Sequence, residues 1–145
     1  MKRQRHFLNK LLLGVFLLVM VSVGCAQSGS QIVKVKIPFN FNIGAQRFSA
    51  GQYDLKPLLQ HTVMLRNQQG RGLTNVTTIS VRSMEAPSSS SLIFRRYGEH
   101  YFLIQVWVQG DTVGREIPKS RSEIEIANAV GSPGEIVALN VHLNH

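Results

Sequence analysis

Apolar residues occupy every odd position from Val33 to Ile43 (Val33, Val35, Ile37, Phe39, Phe41, Ile43), with Lys34, Lys36, Asn40 and Asn42 between them. A side-chain period of two sets one face on a core and the other in water, the pattern of an antiparallel strand. Pro38 has no N–H for a ladder, so it marks an edge position or a bend between two shorter strands. Gly44-Ala45-Gln46 turns the chain into Arg47 to Ala50, and Gly51 turns it again before Tyr53 and Leu55 resume the alternation, which Pro57 closes. Further strands are expected over Thr62 to Arg66, Leu73 to Arg82, Leu92 to Tyr97 and Tyr101 to Gln109, with turns at Gln68-Gln69-Gly70 and Gly98-Glu99-His100. Ser83 to Ser91, with Pro87 and four successive serines, reads as a loop.

Around Trp107 the run Tyr101 to Val108 is apolar on both faces, as a central strand of a sandwich is. The same run could line the wall of a small barrel that holds an apolar ligand. Ser120-Arg121-Ser122-Glu123 fits a capping box and starts a helix through Ile124, Ala127 and Val130, which Gly131-Ser132-Pro133-Gly134 stops. Val137, Leu139, Val141 and Leu143 then alternate again, with Asn140, His142 and Asn144 on the other face. The expected fold is therefore mainly β: an antiparallel β-sandwich, or alternatively a small β-barrel, with one C-terminal helix followed by a final strand.

The N-terminus does not belong to that fold. Lys2, Arg3, Arg5 and Lys10 precede an apolar run from Leu11 to Val23, which is shorter than the roughly 20 residues a spanning helix needs, and the pair reads as an export signal. Gly24 and Ala26 are small residues suited to a cut before Gln27, giving a signal peptide over 1–26 and one β-rich domain over 27–145. Val23-Gly24-Cys25 also resembles the end of a lipobox, although Ser22 stands where leucine is usual. In that case Cys25 is lipidated and the protein is a lipid-anchored envelope lipoprotein, its only route to a membrane. Otherwise it is soluble in the periplasm or outside the cell.

Composition narrows the chemistry. The 145 residues are 43% hydrophobic and 17% charged, as in a folded domain, and Cys25 is the one cysteine. Neither cleavage route leaves a thiol inside the domain, which excludes a cysteine nucleophile, a cysteine zinc site and an internal disulfide. Four of the 16 Lys and Arg residues lie in the signal, leaving 12 against 8 acids, so the formal net charge falls from +8 to +4 on processing.

No catalytic or cofactor motif stands out. His61, His100, His142 and His145 lack metal-ligand spacing, and the serines of 88–91 lie in a loop without a G-x-S-x-G elbow. The acids are dispersed, Glu123 has a local use as a helix cap, and Gly70-Arg71-Gly72 lacks the P-loop lysine. The densest cluster is Arg95, Arg96, Tyr97, His100 and Tyr101, where cations and aromatics interleave. It is either a brace across a hairpin, with Tyr97 near Tyr101 and Arg96 near Glu99, or a binding surface for an anionic envelope polymer. Export removes nucleic acid as a routine partner.

Ile37-Pro38-Phe39-Asn40-Phe41, Ala50-Gly51-Gln52-Tyr53, Phe94-Arg95-Arg96-Tyr97-Gly98, Tyr101-Phe102-Leu103, Trp107 and Gly114-Arg115-Glu116-Ile117-Pro118-Lys119-Ser120 together resemble a family of small exported bacterial β-rich proteins of unknown function. The resemblance implies export and a single β-rich domain, and it brings no activity, cofactor or site. The functional expectation is an exported, non-catalytic binding or structural module of the cell envelope, whose partner is an envelope polymer or protein. A small carrier of apolar ligands is the alternative and an enzyme of unknown type the third. Intact-mass spectrometry of the protein from the cell checks the processing: a chain starting at Gln27 is expected, a diacylated Cys25 marks the lipoprotein, and an uncut Met1 chain in the cytoplasm refutes both.

Overall fold

In the computed structural model, residues 31–59 and 61–141 are described, and they form eleven strands and one helix in two layers. The signal peptide expected over 1–26, with Cys25, and His142, Leu143, Asn144 and His145 lie outside the described residues. In chain order the strands are β1 (Val33–Ile37), β2 (Phe41–Ile43), β3 (Gln46–Phe48), β4 (Gly51–Leu59), β5 (Thr62–Asn67), β6 (Gly72–Thr77), β7 (Ile79–Arg82), β8 (Ser90–Tyr97), β9 (His100–Trp107) and β10 (Val113–Glu116). The helix α1 (Arg121–Val130) and strand β11 (Glu135–Val141) follow.

The smaller sheet has the order β1-β4-β5-β6 and the larger the order β11-β8-β9-β10-β7, with antiparallel neighbours throughout. β10 pairs with β9 only at Val106 and Gln105. Further along the same strand β2 pairs in parallel through Asn42 and Phe102, and β3 pairs with β2. Both sheets stay open, so the sandwich forms and the alternative barrel does not.

The chain changes sheet at two short bends, each within a run expected to be extended. The Val33 to Ile43 pattern becomes β1 in the smaller sheet and β2 in the larger, separated at Pro38-Phe39-Asn40. There Asn40 Oδ1 accepts from the Ala50 N–H at 2.9 Å. The expected strand from Leu73 to Arg82 is likewise two, β6 and β7 in different sheets, with Thr78 buried between them. A period of two reports which face is apolar, not which sheet that face belongs to.

Two further expectations are corrected. Pro57 does not close the second unit, since β4 runs on to Leu59 and Pro57 pairs with Val63 of β5. β1 stops opposite Leu55, so no neighbour on that flank needs the N–H that Pro57 lacks. The serine run is not all loop: Ser90 and Ser91 open β8, and buried Ser90 accepts the Gln109 N–H through Oγ at 3.0 Å.

The core between the layers draws on Val33, Val35 and Ile37 of β1, Phe41 and Ile43 of β2, Leu55, Val63 and Leu65 of the smaller sheet, and Leu92, Phe94, Leu103 and Val106 of the larger. Leu103 and Val106 share that core although three residues apart, which unbroken alternation forbids. Ile93 pairs with Gln105 and Phe94 with Leu103, so Ile104 is an extra residue, a bulge that shifts the phase of β9 by one. Phe102 and Ile104 then face the opposite way and form a second apolar cluster with Tyr97, against Ile93 and with Ile126 and Ala127 of α1.

The helix matches the expected limits. Ser120 caps it through the Glu123 N–H at 3.1 Å, and Gly131 closes it in the left-handed region at φ 66°. Two polar side-chain atoms, Thr78 Oγ1 and Arg115 Nε, are buried without a hydrogen-bond partner among the described residues. A buried unpaired hydroxyl costs about 1–3 kcal/mol, so Thr78→Val, which keeps the branched shape, is expected to stabilise the domain by about 1 kcal/mol and raise Tm by about 4 °C. Thermal melts of the two proteins check it.

Candidate functional site

The larger sheet carries an outer face that α1 covers only in part. Val106 lies in the core, so its neighbours Gln105 and Trp107 point outward, and the partner strand β10 presents Gly114 and Glu116 on the same side. Register across the sheet sets Ser91 and Asn140 beside Trp107, and Ile93 and Ala138 beside Gln105. On the other flank Val81 adjoins Gly114 and Ile79 adjoins Glu116. Five strands thus build one platform with a single large ring near its centre.

That ring is fixed by its neighbours. A Cβ on Gly114 would stand 2.7 Å from Trp107 Cε2 and 2.8 Å from Cδ2 and Cε3, so the face of the indole lies directly on the glycine backbone. The indole Nε1–H donates to Gln105 Oε1 at 3.1 Å, and Gln105 Nε2 donates to Glu116 Oε2 at 2.9 Å. The result is a relay from indole to amide to carboxylate, held on rigid strands and half-exposed to water. Side chains that lock one another in this way are ordered before a partner arrives, which lowers the entropic cost of binding.

The covered part of the face is an electrostatic latch. Glu123 is 3% exposed, although carboxylates are rarely buried without a partner. Its Oε1 accepts from Arg95 Nη1 at 3.2 Å and from the Tyr97 hydroxyl at 3.3 Å, and its place in the first helical turn suits a negative charge. The expected capping box is therefore only half formed: the Ser120 arm is made, while the Glu123 side chain turns inward to the sheet. Ser120 and Ser122 donate to the Gly44 carbonyl at 3.1 and 3.2 Å, which pins the start of the helix to the β2–β3 turn.

The interleaved cluster falls on both sides of the β8–β9 hairpin. Gly98, at φ 58°, occupies the first of two turn positions, where a hairpin turn of type II′ requires glycine. Arg95, Tyr97 and His100 face the helix side, whereas Arg96 and Tyr101 face the core side. Tyr97 therefore does not meet Tyr101. It packs edge-on to Phe102 at 6.1 Å, while Tyr101 stacks on Phe39 at 4.0 Å. Arg96 lies 5.5 Å over the Tyr101 ring, bonds the Gly98 carbonyl at 2.8 Å and pairs with Glu135 at 3.8 Å rather than with Glu99. Each arginine thus has its own carboxylate.

The residues that sequence reasoning passed over are Gln105, Gly114, Glu116 and the inward role of Glu123. Trp107 and Gln105, two apart on a strand, were visible as a pair, but the register that adds Gly114 and Glu116 was not. His61 is exposed beside β5 and His100 is half-buried at the hairpin, and among the described residues no group of three His, Cys, Asp or Glu could hold a metal. No helix of the described residues is long and apolar enough to cross a membrane. Comparison with protein-family models, with curated proteins and with solved structures finds no match.

Trp107 is the chain's one tryptophan, so its emission reports this site alone. Gly114→Ala is expected to drive the ring off the sheet, shift the emission to longer wavelength and lower stability by about 1–3 kcal/mol. Fluorescence spectra at matched folded fraction check it, and an unshifted spectrum means that the ring does not rest on Gly114.

Proposed function

We propose that the protein is an exported, non-catalytic binding module of the bacterial cell envelope, and that it meets its partner with the uncovered outer face of the larger sheet around Trp107. The charged and apolar segments before Cys25 and the small residues Gly24 and Ala26 support export. What supports binding at this face is the relay of Trp107, Gln105 and Glu116, a polar and aromatic group held in fixed geometry on strands and left accessible to solvent. An aromatic ring beside an amide and a carboxylate offers apolar stacking together with donors and acceptors. That set fits a hydroxyl-rich envelope polymer.

The structure shifts weight away from an anionic polymer held by Arg95 and Arg96, because Glu123 and Glu135 already oppose those charges. The carrier reading rested on a closed barrel wall, which two open sheets do not form.

Retention on isolated envelope polysaccharide tests the proposal. Trp107→Ala is expected to weaken retention by about tenfold or more, as loss of a central aromatic does at an interface, while replacement of Arg95 and Arg96 by glutamine changes it little. Retention that survives Trp107→Ala and instead follows salt and the two arginines overturns this reading and returns the anionic one.

A further inference from the structure

β6 forms an outer edge of the smaller sheet, and no described strand pairs with its far side. Proteins usually blunt such edges with charge or proline. β1, the other edge of this sheet, does so with exposed Lys34 and Lys36. From Gly72 to Val81 there is no charged residue and no proline, while threonine, valine and isoleucine, all strand formers, make up much of the run.

The geometry of this edge is self-complementary. Thr78 donates its backbone N–H to the His61 carbonyl of the β5 side at 2.8 Å, so by alternation Val76 also directs its backbone groups toward β5. Asn75 and Thr77 then direct theirs outward. We propose that the partner of this edge is a second copy of the chain, paired antiparallel to it across a two-fold axis at Val76.

In that register Asn75 faces Thr77 of the second copy and Thr77 faces its Asn75, which gives four main-chain hydrogen bonds. Val76 meets its own copy in a pair without hydrogen bonds, where side chains approach most closely, and since Val76 packs on the core of its own sandwich the two cores meet there. Like charges never face each other, because the segment has none. One edge strand makes a small interface, so the dimer forms in the micromolar range typical of transient contacts.

Sedimentation and amide exchange of the protein as recovered from the cell, from about 1 to about 500 μM, decide the matter. The mass is expected to double over that range, and the amides of Asn75 and Thr77 to gain protection with concentration while that of Val76 is protected throughout. Asn75→Pro removes an outward N–H that β5 does not use, so the domain should keep its fold by circular dichroism and dissociate about tenfold more readily. In a Cys25→Ser background, Val76→Cys should form a disulfide-linked dimer on oxidation. A monomer across the range, with rapid exchange at Asn75 and Thr77, overturns the dimer and leaves the edge to an extended segment of another protein. A dimer with no added protection at Asn75 and Thr77 places the contact on another surface and overturns it equally.

Discussion

Phe41 has no surface left to water, and the rings around it come from both layers. Phe48 of β3 stacks on it at 5.5 Å, Tyr53 of β4 meets it edge-on at 5.3 Å and Phe94 of β8 at 5.9 Å. Phe39, at the bend before β2, continues the set to Phe94 and Tyr101. Contacts of this kind contribute about 0.5–1.5 kcal/mol each beyond the area they bury. With no disulfide available to the domain, this aromatic seam is what ties sheet to sheet. The Tyr53 hydroxyl shows the cost of sharing in it: burial raises its pKa above the ordinary 10.0, while it donates to the Ser49 carbonyl in a 2.7 Å hydrogen bond.

The outer face inherits its layout from that seam. Once Phe41 fixes β2, the Gly44 carbonyl sits where Ser120 and Ser122 can reach it, and the helix must begin there. The helix then delivers Glu123 to Arg95 and Tyr97 and covers Phe102 and Ile104, but it ends before Trp107. Gly134, at φ 83°, brings the chain back so closely that a Cβ there would stand 2.7 Å from Arg95 Cγ and Tyr97 Cε1. Which part of the sheet is covered and which is open thus follows from a contact on the far side of the molecule.

Much of this was legible in the sequence because it rests on local rules. The alternation of β1, the Ser120 cap, the Gly131 stop, the Gly98 turn and the buried character of β9 all appear in short windows of residues. What could not be read were facts of register and of sheet membership. Nothing near Thr78 signals a change of sheet, because no glycine, proline or charge interrupts the strand formers from Thr74 to Val81. The bulge at Ile104 is hidden within an apolar stretch, where a slip of one residue leaves the pattern looking the same. The candidate cluster failed to assemble as expected for a related reason: adjacency along a strand places Arg95 and Arg96 on opposite faces, so density in sequence is not density in space. Trp107 found its partners across strands instead.

β11 comes last in chain order among the described strands, yet it pairs along seven residues with β8 and sends Val141 into the core. Synthesis at about 5–20 residues per second puts roughly 2–9 seconds between the end of β8 and the end of β11. For that time the flank of β8 has no neighbour, the helix has no Gly134 to seat it, and the nascent sandwich lacks one margin of its larger layer. A sandwich whose β8 flank is closed by β11 cannot lock its larger layer before residues 135–141 have emerged.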